Sequence, residues 1–246
     1  MEKKVTIKTD ATHHLNGVLN TPEKEADQLV IFVHGLTGSS NEHLFYCASR
    51  EFPKQGFAIF RFDFYPEAKA GSRTLQESTL KTHVGDLTAV VRYWSKKYKK
   101  IYLVGHSLGG LTILLSGNLP VEAVVLWDSS CNLMGTGLMG VMQATTYSKQ
   151  IDSYIINWGT ETLLGAKMYQ EFKTVPGPKQ LLENYKVPLK IVSAGKGILV
   201  SAGKAYYRYA HEPKELAMVK NATHCFDEEG TQERLFAETL SWIKKF

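Results

Sequence analysis

The most restrictive feature of this chain is a glycine-rich hexapeptide, Gly105-His106-Ser107-Leu108-Gly109-Gly110. The apolar run IYLV precedes it and the run LTILLS follows it, a pattern typical of a buried strand that passes directly into a helix. Such a sharp turn avoids clashes only when glycines flank its central residue, and it raises the Ser107 hydroxyl above the sheet at a helix N-terminus. The hexapeptide therefore predicts an exposed serine. The alternative is an ordinary turn in which Ser107 caps the helix.

Short apolar runs alternate with amphipathic segments along the rest of the chain. The runs that predict strands buried on both faces are 29–33, 57–62, 101–104, 123–127, 189–193 and 216–219. Apolar residues at steps of three and four from Leu80 to Tyr98, and again from Leu235 to Ile243, predict helices. This alternation predicts a mostly parallel sheet with helices on both faces. Residues 3–8 and 14–19 are expected to add an antiparallel pair.

No repeat or long polar linker divides residues 1–246, which predicts a single domain. Residues 131–184 nevertheless break the alternation, because they are too many for a simple crossover between two strands. Their methionine and aromatic residues suit a mobile apolar cover. These residues are Met134, Met139, Met142, Met168, Tyr147, Tyr154, Trp158, Tyr169 and Phe172. We therefore predict a helical lid, or cap, inserted after the sixth strand. The alternative is a helical insertion with a small core of its own.

Two further loops bring polar groups to the same edge of the predicted sheet. The strand 29–33 runs into the glycine-bearing loop 34–40. Backbone N–H groups of Leu36 and Leu108 are expected to face an oxygen that becomes negative during acyl transfer. His224 follows the strand 216–219 and precedes the last helix, where an imidazole can take a proton from a serine hydroxyl.

Together, these segments resemble the α/β-hydrolase superfamily over nearly the whole chain. The likeness is greatest to cinnamoyl and feruloyl esterases and related small carboxylesterases. It is carried by His34-Gly35-Leu36-Thr37-Gly38, Arg61-Phe62-Asp63-Phe64 and Thr223-His224-Cys225-Phe226-Asp227. The resemblance implies an α/β-hydrolase fold with Ser107 as nucleophile and His224 as general base. It also implies that Leu36 and Leu108 provide the oxyanion hole.

The acid that should orient the imidazole departs from the family pattern. Relatives carry it in a G-x-x-D loop after the strand that corresponds to 189–193, where this chain has Gly197 or Ile198. Without a carboxylate an imidazole can adopt the wrong tautomer, and its cation is less stable. Asp128 ends the strand 123–127, which should lie beside the nucleophile strand, so we predict that Asp128 replaces the missing acid. The alternative is a helix cap or a partner for loop amides.

The predicted function is that of a serine esterase, which cleaves a small or aromatic carboxylic ester through an acyl-enzyme on Ser107. A thioesterase or a serine aminopeptidase-like acyl hydrolase would use the same groups and differ only in the pocket. The missing acid also leaves open a binding module with weak catalysis.

Charge and composition argue against several other classes of protein. The net charge of +5 comes largely from lysines at predicted helix ends, without the aromatic interleaving of a nucleic-acid surface. No apolar run approaches the roughly 20 residues that span a bilayer, and the three cysteines lack paired spacing, which favours a cytoplasmic protein. No phosphate loop, dinucleotide fingerprint or metal-ligand spacing occurs, so neither a cofactor nor a metal is predicted. The expected partner is a small acyl ester, and a homodimer is left open.

Overall fold

The computed structural model describes residues 1–10, 12–65, 71–133, 136–137, 145–157 and 161–246. Its strands are β1 (Glu2–Lys8), β2 (His14–Asn20), β3 (Gln28–Val33), β4 (Ala58–Asp63), β5 (Lys100–His106), β6 (Ala123–Trp127), β7 (Asn132–Leu133), β8 (Thr136–Gly137), β9 (Thr145–Ser148), β10 (Ser153–Asn157), β11 (Glu161–Gly165), β12 (Leu189–Ala194) and β13 (Lys214–Val219). Its helices are α1 (His43–Glu51), α2 (Leu80–Trp94), α3 (Leu108–Leu115), α4 (Ala166–Thr174), α5 (Pro178–Leu182), α6 (Val200–Tyr209) and α7 (Thr231–Ile243), with a 3₁₀ turn at Phe52–Gln55.

Eight strands form the central sheet, in the order β1-β2-β4-β3-β5-β6-β12-β13. The six strands from β4 to β13 in this order pair in parallel, and β1 and β2 add an antiparallel edge. This confirms the predicted mostly parallel sheet and the predicted antiparallel pair. Because parallel strands present their carboxyl ends at one edge, the loops after β3, β5, β6, β12 and β13 lie together there.

Both faces of the sheet are covered, as the continuous apolar runs predict. In β3, Leu29, Ile31 and Val33 belong to the core shared with α2, α3 and α6. The alternate residues Val30 and Phe32 belong to the core shared with α1 and α7. Burial of each such side chain contributes about 1.5–3 kcal/mol, so two cores fix the sheet whose edge carries the site.

The insertion between β6 and β12 differs from the predicted helical lid. Its described residues include a three-stranded antiparallel sheet, β9-β10-β11, followed by the short helices α4 and α5. The expectation of helix was wrong for β9–β11, because the segments TTYS and SYIIN are rich in β-branched and aromatic residues, which favour strands. Met134, Met139, Met142 and Trp158 lie outside the described residues.

Buried side chains in the described part of the insertion pack together with those of the main body. Ile156, Leu164 and Met168 pack in one cluster with Leu108 and Leu111 of α3. Leu108 directly follows the predicted nucleophile, so this contact places the insertion beside the site.

Candidate active site

The predicted nucleophile, Ser107, lies in the turn between β5 and α3. Its backbone has φ 54° and ψ −119°, a region that residues with a side chain rarely adopt. Two glycines make the turn sterically feasible. A Cβ on Gly109 would lie 2.0 Å from the Val33 carbonyl oxygen, and one on Gly105 would lie 2.6 Å from the backbone nitrogen of Gly110. The hexapeptide therefore forms the strained turn that the sequence predicts.

Hydrogen bonds to the end of β6 and to the segment after it hold Ser107 in place. Its N–H donates to the Trp127 carbonyl (3.0 Å), and its own carbonyl accepts from the Ser130 N–H (3.1 Å). The two hydroxyl oxygens of Ser107 and Ser130 lie 3.3 Å apart. In the described part of the chain no hydrogen bond joins the Ser107 hydroxyl to the His224 ring, although both residues line one cavity. Bonds of this kind often tighten only once substrate is bound.

His224 and Asp128 are joined by a short hydrogen bond, with 2.7 Å between Nδ1 and Oδ2. The Asp128 side chain is fully buried, and its other carboxylate oxygen accepts the Ala194 N–H at 3.0 Å. Asp128 directly follows β6 with φ 39°, an unusual backbone conformation for aspartate. Since Nδ1 faces the carboxylate, Nε2 is the ring nitrogen that remains for a proton from a serine hydroxyl. The structure thus brings together the predicted base and the predicted substitute acid.

Gly197, one of the two residues that stand where the resemblance would place an acid, faces the same carboxylate. A Cβ at this position would lie 3.1 Å from Asp128 Oδ2. The loops after β6 and β12 therefore converge beside His224, and Asp128 supplies the carboxylate to it. Asp227 lines the cavity with an exposed side chain.

The two predicted oxyanion donors belong to the loops after β3 and β5, and both Leu36 and Leu108 line the cavity. Leu108 is the first residue of α3, where a backbone N–H has no acceptor within the helix. The loop that holds Leu36 packs closely against Ser107, because a Cβ on Gly35 would lie 3.0 Å from Ser107 Cβ. Within the described residues neither amide donates a hydrogen bond to another backbone group outside regular secondary structure. Both N–H groups can therefore bind an oxygen in the cavity.

His106 and Glu42 form a supporting pair that the sequence does not single out. His106 Nε2 lies 2.9 Å from the His224 carbonyl oxygen, and the two imidazole rings are 4.6 Å apart between centroids. Glu42 approaches the other ring nitrogen of His106 at 3.8 Å. Burial opposes the charge of His106, but Glu42 and the His224 carbonyl outweigh it and raise the pKa of His106. Burial likewise opposes the charge of Glu42, yet the neighbouring His106 imidazole lowers the Glu42 pKa. The pair therefore favours its charged form beside the predicted base.

The cavity at this edge of the sheet has a volume of about 830 Å³. Its apolar lining comes from Leu36, Leu44, Leu108, Ile198 and Leu199. Within the described ranges no three His, Cys, Asp or Glu side chains are grouped to hold a metal ion. Among the same residues, no helix combines the length and apolar character that crossing a bilayer requires.

Residues 23–116 match a family model described as "Putative serine esterase (DUF676)". A search of curated proteins gave no match. Solved structures match over the whole fold. The esterase domain of a Rhodothermus marinus protein has a TM-score of 0.77 at 21% identity, with 100% of this chain and 98% of that chain covered. The hydrolase GrgF from Penicillium sp. sh18 has a TM-score of 0.80 at 14% identity, with 100% and 98% covered.

This chain has the α/β-hydrolase fold. A third similar structure, Est1E from Butyrivibrio proteoclasticus with ferulic acid bound, aligns with this chain at a TM-score of 0.76 and 22% identity, covering 98% of this chain and 99% of that chain. The predicted fold is confirmed. With the matched family model, it supports a serine-type hydrolase and the predicted serine esterase.

Proposed function

We propose that this hydrolase cleaves a carboxylic ester through an acyl-enzyme on Ser107, with His224 as general base and Asp128 as the acid that orients it. The observation that carries the proposal is the 2.7 Å contact between His224 Nδ1 and the buried Asp128 carboxylate, at the cavity that also exposes Ser107. This contact fixes the tautomer that leaves Nε2 able to accept a proton.

In the first half-reaction the Ser107 oxygen bonds to the ester carbonyl carbon while its proton passes to His224 Nε2. The carbonyl oxygen becomes negative and binds the N–H groups of Leu36 and Leu108. His224 then protonates the leaving alkoxide as its C–O bond breaks, which leaves an acyl group on Ser107. In the second half-reaction water attacks this acyl group while its proton passes to His224. The bond between the acyl carbon and the Ser107 oxygen then breaks, that oxygen takes the proton back from His224, and the acid product leaves. Asp128 stabilises the imidazolium in both halves without accepting its proton.

The acyl group is proposed to be small or aromatic. A cavity of about 830 Å³ with leucine and isoleucine walls accommodates a planar or short acyl chain. The fold shared with Est1E, whose structure holds ferulic acid, supports the same substrate class.

The insertion 131–184 is proposed to cap this pocket. Thr162 lines the cavity, and Leu164 and Met168 pack against Leu108. If the insertion closes over the site, covalent labelling of Ser107 with a bulky fluorophosphonate should slow amide exchange in residues 161–174. Unchanged exchange would assign the insertion a fixed structural role.

The test is hydrolysis of p-nitrophenyl acetate and butyrate by the wild type, Ser107→Ala and Asp128→Asn. Matched controls are Ser95→Ala and Asp27→Asn, since both residues are exposed and neither lines the cavity. Loss of turnover in Ser107→Ala, and a large loss in Asp128→Asn, with normal controls, supports the proposal. A folded, inert wild type that also resists a fluorophosphonate probe would favour a binding module.

Ester, thioester and aminoacyl p-nitroanilide substrates, compared by kcat/KM, separate the esterase from the thioesterase and aminopeptidase-like alternatives. A cytoplasmic location and a homodimer stay predictions. Cell fractionation tests the location, and sedimentation equilibrium tests the oligomeric state.

A further inference from the structure

The peptide group between Gly35 and Leu36 is held through its carbonyl oxygen. That oxygen lies within hydrogen-bonding distance of three donors: His34 Nδ1 at 2.8 Å, the Tyr65 hydroxyl at 3.0 Å and the Gly38 N–H at 3.1 Å. In a trans peptide the C=O and the following N–H point in opposite directions within one plane. Groups that fix the Gly35 carbonyl therefore also fix the direction of the Leu36 N–H, the proposed oxyanion donor.

Tyr65 differs from the other two donors because it lies outside the loop that contains Gly35. His34 and Gly38 belong to the loop after β3 itself, so their bonds to Gly35 shape the loop from within. Tyr65 follows β4, thirty positions along the chain, and its hydroxyl ties the loop to a neighbouring strand. A second tie runs from the Phe64 N–H to His34 Nε2 at 3.0 Å, which requires the proton of neutral His34 to sit on Nδ1, facing Gly35.

The surroundings of Tyr65 suit a fixed donor. Its ring packs edge-on against His34 at 5.1 Å and lies 5.7 Å from the ring of His83. Burial raises the pKa of the Tyr65 phenol above its ordinary value, so the hydroxyl keeps its proton at every working pH. Because Gly35 lies against Ser107, a small displacement of the loop would move the Leu36 amide relative to the reacting carbonyl.

We propose that Tyr65 is a positioning residue for the oxyanion hole, in which its hydroxyl holds the Gly35 carbonyl and so aims the Leu36 N–H at the developing oxyanion. This inference rests on the proposed function, since it assigns a role within the same reaction. Complete removal of an oxyanion donor costs about 10²–10³ in kcat. Tyr65→Phe keeps the donor but loosens its aim, so a loss of about 10-fold is expected.

Tyr65→Phe is compared with Tyr102→Phe, a matched control. The Tyr102 hydroxyl also makes one hydrogen bond, to Gln28 at 2.9 Å, near the start of β5 and away from the cavity. With p-nitrophenyl butyrate, Tyr65→Phe should lower kcat about 10-fold and change KM less than about 2-fold, whereas Tyr102→Phe should change neither. Affinity for a boronic acid, which forms a tetrahedral adduct on serine, should fall in parallel with kcat.

The rate at which a fluorophosphonate labels Ser107 gives a second readout, because its phosphoryl oxygen also uses the oxyanion hole. Normalising each rate to the fraction labelled at completion removes any effect of misfolded protein. An unchanged labelling rate, an unchanged kcat, or an effect on KM alone in Tyr65→Phe would overturn the inference. If the wild type labels but hydrolyses no ester, the proposed function fails, and the labelling rates still decide the role of Tyr65.

Discussion

The most unusual feature of the proposed site is that Asp128, in the loop after β6, supplies the acid. Moving the acid to the loop after β12 tests this feature. Asp128→Asn removes the negative charge of residue 128 beside His224 and keeps the shape of that side chain. An amide that presents its NH₂ group to Nδ1 favours the wrong tautomer, and the imidazolium loses its counter-charge. By analogy with the serine-protease triad, kcat should fall about 10³–10⁴-fold, which corresponds to about 4–5.5 kcal/mol.

Adding Gly197→Asp to the Asp128→Asn variant should restore part of this loss. A Cβ at residue 197 would lie 3.1 Å from Asp128 Oδ2, and that oxygen lies 2.7 Å from His224 Nδ1. The carboxylate oxygens of an aspartate lie two covalent bonds beyond its Cβ, so an aspartate here can approach the imidazole after a small shift. We expect kcat to recover about 10–100-fold over Asp128→Asn, short of the wild type because the Ala194 N–H is arranged for Asp128. In the wild-type background Gly197→Asp should instead lower kcat, because two carboxylates would compete for one imidazole.

The assay is p-nitrophenyl butyrate hydrolysis at pH 7, with active sites counted by fluorophosphonate titration. Asp128→Asn combined with Gly197→Asn is the control, since it fills the same space without charge. Equal rates for the two double variants would refute the view that the loops after β6 and β12 are interchangeable sources of the acid. Full activity of Asp128→Asn would refute the catalytic role of Asp128 itself.

Two buried histidines give further predictions. Burial lowers the pKa of His83 to about 3, and among the described residues neither of its ring nitrogens has a hydrogen-bond partner. The folded state therefore resists protonation of His83, and the free energy of unfolding should fall by about 2.5 kcal/mol from pH 7 to pH 4.5 through this group. His83→Phe should remove that part of the decline in urea titrations, and an unaltered slope would contradict it. The raised pKa of His106 has the opposite sign: its stabilisation is fully present below about pH 6.5 and is lost as pH rises through the folded pKa. His106→Gln should therefore destabilise the protein more at pH 6 than at pH 8.5, and lower kcat by loosening the contact with the His224 carbonyl; equal destabilisation at both pH values would argue against a charged His106.

The parts of the site that follow from backbone rules could be predicted from the sequence. The turn at Ser107 needs glycines within two residues. The end of a strand can be located from its apolar run, so the sequence predicts that Asp128 and His224 lie at the same edge of the sheet. Their mutual distance was not predictable, because it depends on the register of β6 against β12 and on the bend at Asp128.

The supporting residues could not be found in the same way. Glu42 and Tyr65 carry no motif, and each contacts the site across a gap of many residues. His106 stands inside the hexapeptide, yet nothing in its neighbours indicates that it contacts the loop of His224. The sequence predicts a helical insertion, whereas the local preference of β9 and β10 for strands decides the structure there.

The positions of the site residues along the chain also bear on when activity appears during folding. The segment matched by the family model, 23–116, contains the proposed nucleophile and both proposed oxyanion amides, while the proposed acid and base come from the end of β6 and the loop after β13. Contacts between residues so far apart in sequence form late, since long loops must close before they contribute. During refolding, the circular dichroism signal of helices should therefore recover before ester hydrolysis does. A backbone cut between β6 and α7 that releases β13 should leave Ser107 in place without its proposed base, His224.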